Sequence, residues 1–240
     1  MPSKGKPAAG GGRWIDVAPE RLDRWFRGFH TRHRAVSAEW TADGASVWGE
    51  DGALADCRLP YGWPDGAPSP EPGPELEPDP EAESELDPAV RAAVDRLAAA
   101  AAQPIRVGLL LARRGAYGVA VADGRTLVSS KVARRYVQGR TAAGGWSQQR
   151  FARRRDNQAK QSAQSAADLA SRLLLPEVDG LTAVVLGGDR KAVDDVLADR
   201  RLGPLVALVG GWFLDVPEPR HTVLAQAVEL ARMARIRIVD

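Results

Sequence analysis

The chain has 240 residues, enough for one ordinary core plus a small second domain. Its hydrophobic fraction of 44% is that of a globular protein; no apolar run approaches the ~18 residues of a membrane span, and the start MPSKGKPAAGGGR lacks an apolar signal core, so a cytoplasmic protein is expected. A single cysteine, Cys57, excludes an internal disulfide and a thiolate zinc site, and nothing in the composition calls for a cofactor.

The net charge of +2 hides a segregation. Residues 62–87 carry nine acids and no base, whereas residues 131–160 carry nine Lys or Arg against the single acid Asp156. A local field of that kind attracts phosphate even on a nearly neutral molecule. Arg outnumbers Lys 28 to 5, but it is the clustering, not the abundance, that carries information.

In chain order, residues 1–12 read as a disordered tail and residues 13–61 as a small N-terminal domain. Pro19 opens a helix through LDRWFRGFHTRH, with Leu22, Trp25, Phe26 and Phe29 on one face. Asp43-Gly44 and Asp51-Gly52 read as hairpin turns between short apolar stretches. Trp14, Trp25, Trp40 and Trp48 are expected to supply much of this domain's core, since aromatics dominate small cores. Residues 62–87, with seven prolines, read as an extended, self-repelling spacer.

The second domain is expected over residues 88–240. Asp87-Pro88 starts a helix that runs to Ala102, before Pro104. IRVGLLLA, YGVAVAD and TLVSSKVAR read as three antiparallel strands in a meander. A loop over 138–147 leads into a long helix over 147–175. LTAVVLGG is a buried strand, and Asp189 caps the helix KAVDDVLAD. A short strand PLVALVGG, a helix over 220–234 and a final strand IRIVD complete the pattern. The expected fold class is α/β (α+β), a mixed sheet with flanking helices of the RNase H-like kind, plus the small N-terminal α+β domain.

The most informative segment is VQGRTAAGGWSQQRFARRRDNQ, residues 137–158. Gly139, Gly144 and Gly145 interrupt a well-patterned chain where backbone freedom or a close approach is needed. Ser147 can cap the following helix, whose Ala152, Ala159, Ala163, Ala166, Ala170 and Leu173 are expected to form one buried stripe. Arg150, Arg153, Arg154, Asn157, Lys160, Gln161 and Gln164 fall on other faces. A glycine loop at a helix N-terminus, followed within two turns by arginines, suits a phosphodiester backbone.

This segment, with the strand order, resembles the catalytic middle domain of archaeal and eukaryotic class I peptide-chain release factors. It looks closer still to the release-factor-like peptidyl-tRNA hydrolases of ribosome quality control, in their actinobacterial branch. Gly145-Trp146-Ser147-Gln148 matches that group's Gly-x-x-Gln, and Arg150, Arg153, Arg154 and Arg155 with Asn157 match its basic stretch. The resemblance covers roughly residues 104–240. It implies codon-independent hydrolysis of peptidyl-tRNA stranded on a ribosome or large subunit, with the loop in the peptidyl-transferase centre. It further implies that Gln148, or its neighbour Gln149, positions water while Gly144 and Gly145 set the backbone. Trp146 would stack on RNA or pin the loop, and Arg134, Arg135 and Arg140 would meet RNA on the entry side. The partners are then peptidyl-tRNA and large-subunit rRNA, with no membrane, no metal and a monomeric protein.

The residues alone offer no self-contained hydrolase. His30, His33 and His221 lie outside the loop, and no G-x-S-x-G is present. A two-metal nuclease would need carboxylates converging from the sheet, and IRVGLLLA has none. GGDRK at 187–191 lacks the spacing of a phosphate-binding loop and reads as a capped strand-to-helix turn. A non-catalytic tRNA- or rRNA-binding factor is the alternative that the same arginines would serve.

Overall fold

The computed structural model describes residues 5–64, 86–113, 115–134 and 147–240, of which 147–156 as helix backbone only. In chain order the strands and helices are β1 (Lys6–Pro7), β2 (Arg13–Val17), α1 (Leu22–His33), β3 (Ala35–Thr41), β4 (Gly44–Gly49), β5 (Leu54–Arg58) and α2 (Pro88–Ala102). There follow β6 (Arg106–Arg113), β7 (Ala116–Asp123), β8 (Thr126–Arg134), α3 (Ser147–Leu174), β9 (Ala183–Gly188), α4 (Arg190–Leu197), α5 (Gly203–Ala207), α6 (His221–Arg232) and β10 (Ala234–Val239). The chain divides into two compact units, residues 1–103 with 232–240, and residues 104–231.

The first unit is an antiparallel sheet in the order β1-β2-β10-β5-β4-β3. Alternation along each strand sends Ala45, Val47, Ala55, Cys57, Ile236 and Ile238 into one core with Phe26 and Phe29 of α1 and Val94 and Leu97 of α2. Trp25 stacks on Phe29 at 5.8 Å and meets Phe26 edge-on at 5.0 Å. Trp40 and Trp63 meet edge-on at 5.5 Å, and Trp63 donates its indole N–H to the Thr41 carbonyl at 3.0 Å. Burial pushes the Cys57 thiol well above its usual range, so it stays protonated and unreactive.

The tryptophan expectation holds for half of its residues. Trp25 and Trp40 pack on the core, while Trp14 and Trp48 are half-buried and alternate with its core residues along β2 and β4. Trp14 carries the Arg58 guanidinium 5.3 Å from its ring centre. The missing apolar mass comes from α2 and β10, which the sequence reading assigned to the second domain.

That assignment is corrected by the packing. Asp87 caps α2 through its carboxylate on the Ala89 amide at 2.9 Å, and Val90, Val94 and Leu97 then bury in the first unit's core. The last strand also joins that sheet, between β2 and β5. Its arginines fix the register: Arg235 donates to Asp16 at 3.0 Å, and Arg237 faces Asp56 at 3.6 Å. A one-residue slip would drive both arginines into the core.

The second unit is a four-stranded sheet in the order β8-β7-β6-β9, with β6 and β9 parallel and the other pairs antiparallel. Leu110, Tyr117, Val119 and Val121 bury against Ala166, Ala170 and Leu174 of α3. On the opposite face Gly118 leaves room for Leu224 of α6. The expected strand PLVALVGG is instead α5, with one bridge from Val209 to Val184. Pro204, fixed at a helical φ in the first turn, sets that outcome, and Leu202 and Leu205 are drawn into the core. No helix among the described residues is long and apolar enough to cross a membrane.

Candidate nucleic-acid interface

The helix that carries the candidate residues starts at Ser147 and runs 28 residues. Gln148, Gln149 and Arg150 therefore belong to its first turn, where backbone N–H groups lack carbonyl partners within the helix. Arg153, Arg154 and Arg155 follow in the next turns. The side chains of these six residues lie outside the described part, as do Gly144, Gly145, Trp146, Arg135 and Arg140 entirely.

Among the described candidates, Asn157 is exposed on α3. Arg134, at the end of β8, is exposed and ion-paired with Glu218. Lys160 is exposed one turn after Asn157, and Lys131 is exposed on β8; no sequence signal beyond basic charge marked Lys131. Gln164 has another task, donating to Asp168 at 3.2 Å and to Asp199 at 3.1 Å.

The expected alanine stripe is buried only in its C-terminal half. Ala166 and Ala170 are fully enclosed, Ala163 and Leu173 are partly covered, and Ala159 is exposed; Ala152 lies outside the described side chains. Ala159 is level with the β6–β7 turn, and with Arg113, Gly115, Ser162, Lys191 and Asp195 it lines an open hollow of about 210 Å³. From there to Ser147 the helix continues for twelve residues, about 18 Å at 1.5 Å per residue.

The C-terminal half of α3 is anchored by charge as well as by packing. Arg201 donates to Asp168 of α3 at 2.6 Å and to Asp199 at 2.7 Å. The guanidinium holds both carboxyls below their ordinary range, Asp199 the more strongly because the Arg201 backbone amide also donates to it. The same contacts raise Arg201 further above its already high range.

Gly187 and Gly188 are accounted for by packing rather than by a ligand. A Cβ on Gly187 would come within 2.8 Å of Leu111 and 2.9 Å of Leu214. Gly188 has φ +100°, and a Cβ there would collide with the Ala112 carbonyl. Asp189 then caps α4 by accepting from the Ala192 amide at 2.9 Å, as its sequence position predicts. Asp123, the lone acid of the meander, is paired with Arg106 at 3.2 Å.

Residues 105–237 match the family model of the Actinobacteria/chloroflexi VLRF1 release factors. The chain belongs to this release factor family. The match takes in the whole meander, α3 with Gln148, and most of β10.

No curated protein matches the chain. Among solved structures it is similar to the archaeal translation termination factor aRF1, at 18% identity and a TM-score of 0.37. That alignment covers 53% of this chain and 36% of the archaeal factor, so the chain corresponds to about a third of that protein. A second, described as an archaeal protein, aligns at 13% identity and a TM-score of 0.36, over 89% of this chain and 70% of the other.

Proposed function

We propose that this protein hydrolyses the ester of peptidyl-tRNA stranded on a ribosome or large subunit, without reading a codon. The observation that carries the reading is Gln148 in the first turn of α3, three residues after Gly145, inside the segment that matches a release factor family. Water adds to the ester carbonyl carbon, the bond to the terminal ribose oxygen breaks, and the proton ends on that ribose hydroxyl. Gln148 orients the water and donates to the developing oxyanion. A neutral amide suits this task because a carboxylate would be repelled among phosphates.

The geometry of α3 supports the reading. Its C-terminal half is fixed to the sheet and to Arg201, and beyond Ala159 the helix extends twelve residues, about 18 Å, to Ser147. A helix of that length suits delivery of a loop into a deep RNA cavity. Gly144 and Gly145 set the loop, Trp146 stacks or pins it, and Arg150, Arg153, Arg154, Arg155 and Asn157 hold RNA phosphates. Arg134, Arg135 and Arg140 contribute on the entry side. The protein acts in the cytoplasm as a monomer and needs no cofactor.

The test is release of a nascent chain from stalled ribosome complexes at equal occupancy. Gln148→Ala is expected to bind normally and to slow release by about 100-fold, the scale of losing one oxyanion donor. Gln149→Ala should release near the wild-type rate. Binding by the wild type without any release would make this a non-catalytic RNA-binding factor.

A further inference from the structure

The solvent face of α1 in the first unit has two features that its own fold does not explain. The first is charge. Arg21, Arg24, Gly28 and Arg32 follow one another at steps of three, four and four, and Arg27 flanks them, opposite Leu22, Phe26 and Phe29 on the buried side. Arg21, Arg24, Arg27 and Arg32 are all exposed. The two nearby acids are occupied: Asp23 accepts from Arg27 at 2.9 Å and lies 3.7 Å from Arg91, and Glu20 accepts from Arg232 at 2.8 Å. Arg21 and Arg24 form no ion pair with a described carboxylate, and among the described residues Arg32 is engaged by the Gly28 carbonyl at 3.0 Å. From Arg21 to Arg32 the row is about 17 Å long.

The second feature is Gly28. It sits in the middle of a helix, where glycine is the least favourable residue after proline. Its φ is ordinary, and a Cβ added there would meet nothing within 4 Å. Neither backbone conformation nor internal packing therefore requires glycine at this point. Arg34, just past the helix end, departs in the opposite sense: it holds the left-handed conformation, φ 48°, that usually selects glycine. The helix thus omits a side chain where one would be stabilising and keeps an arginine where glycine would be.

We propose that this face of α1 is a docking surface for the sugar-phosphate backbone of structured RNA, with the missing side chain at Gly28 letting the strand approach the helix between Arg24 and Arg32. The arginines supply planar donors to phosphate oxygens, and the glycine removes the bulk that would hold them off. The contact adds affinity and orientation rather than chemistry. It rests on RNA being the partner and not on Gln148 being catalytic.

The experiment uses the full chain and two probes, deproteinised large-subunit RNA and intact large subunits, titrated over a range of salt. Replacing Arg21, Arg24 and Arg32 by Gln should weaken binding to both by about tenfold or more and lower the log–log salt slope by about 2 to 3. Gly28→Gln should raise the thermal midpoint, since it improves the helix, and yet weaken both interactions. That opposed pair of readouts cannot come from damage to the fold. The proposal is overturned if both variants bind RNA like wild type. It is equally overturned if they lose intact subunits but keep deproteinised RNA, which would assign the face to an acidic protein. Absence of peptide release with arginine-dependent RNA binding would defeat the hydrolase reading and leave this one standing.

Discussion

At the scale of single residues, glycine has different meanings at different points of this chain. Gly187 and Gly188 belong to the strand-to-helix turn that the sequence predicts, and each is fixed by its neighbours: Gly187 by Leu111 and Leu214, Gly188 by a positive φ against the Ala112 carbonyl. Gly188→Ala should therefore destabilise the second unit by at least about 2 kcal/mol, through strain and collision together. Urea unfolding of the two forms measures this, and an unchanged midpoint would mean the β9–α4 turn relaxes freely. Gly28 is the reverse case, with open space and no strain, and only its chemical surroundings give it a reason. Asp189 was legible from sequence alone, because a carboxylate before an amphipathic run has one local task. The start of α3 at Ser147 was legible for another reason, the glycine break just before a long periodic run.

At the scale of elements, α3 is held by a charge network whose pH dependence can be worked out. Asp168 and Asp199 have their carboxyls lowered by Arg201. A depressed carboxyl contributes stability above its unfolded value, about 3.9, and loses it as pH falls from there through the folded value. The difference in thermal midpoint between wild type and Arg201→Gln should thus be full at pH 6 and shrink below about pH 4. High salt should shrink it too, because Arg201 and Asp168 are half-exposed. A difference that persists unchanged at pH 2 would show that Arg201 acts by packing alone. Elements with a single local reading were recovered from the sequence: the meander, α3, the capped α4 and both Asp-Gly hairpins. α5 was not, because LVALV satisfies a buried strand and a short helix equally, and only Pro204 tips it toward helix. The alanine stripe was half right, since periodicity reports a face but not where along the helix the sheet ends.

At the scale of the whole molecule, the last strand is the element that sequence order misplaces. β10 follows the second unit in the chain, yet it is a central strand of the first, paired with β2 on one side and β5 on the other. Its pattern already contained the answer. Ala234, Ile236 and Ile238 alternate with Arg235 and Arg237, which describes a strand with one wet face, whereas β9 reads AVVLGG, an unbroken apolar run. The first sheet offers Asp16 and Asp56 to those two arginines, and the second offers no such partners on β6 or β8. The first unit is therefore completed only by a strand that follows the second unit in the chain, and its stability should depend on a residue more than 170 positions beyond β5. Ile236 is fully enclosed between α1, α2 and the neighbouring strands. Ile236→Ala leaves a cavity there, at a cost of about 2 to 5 kcal/mol. The loss should appear as faster amide exchange over β2, β4 and β5, while β6, β7 and β9 retain their protection. Leu110→Ala, in the other core, should give the converse pattern. If Ile236→Ala instead raises exchange equally in both sheets, the two units unfold as one, and the division seen in the packing is not a division in stability.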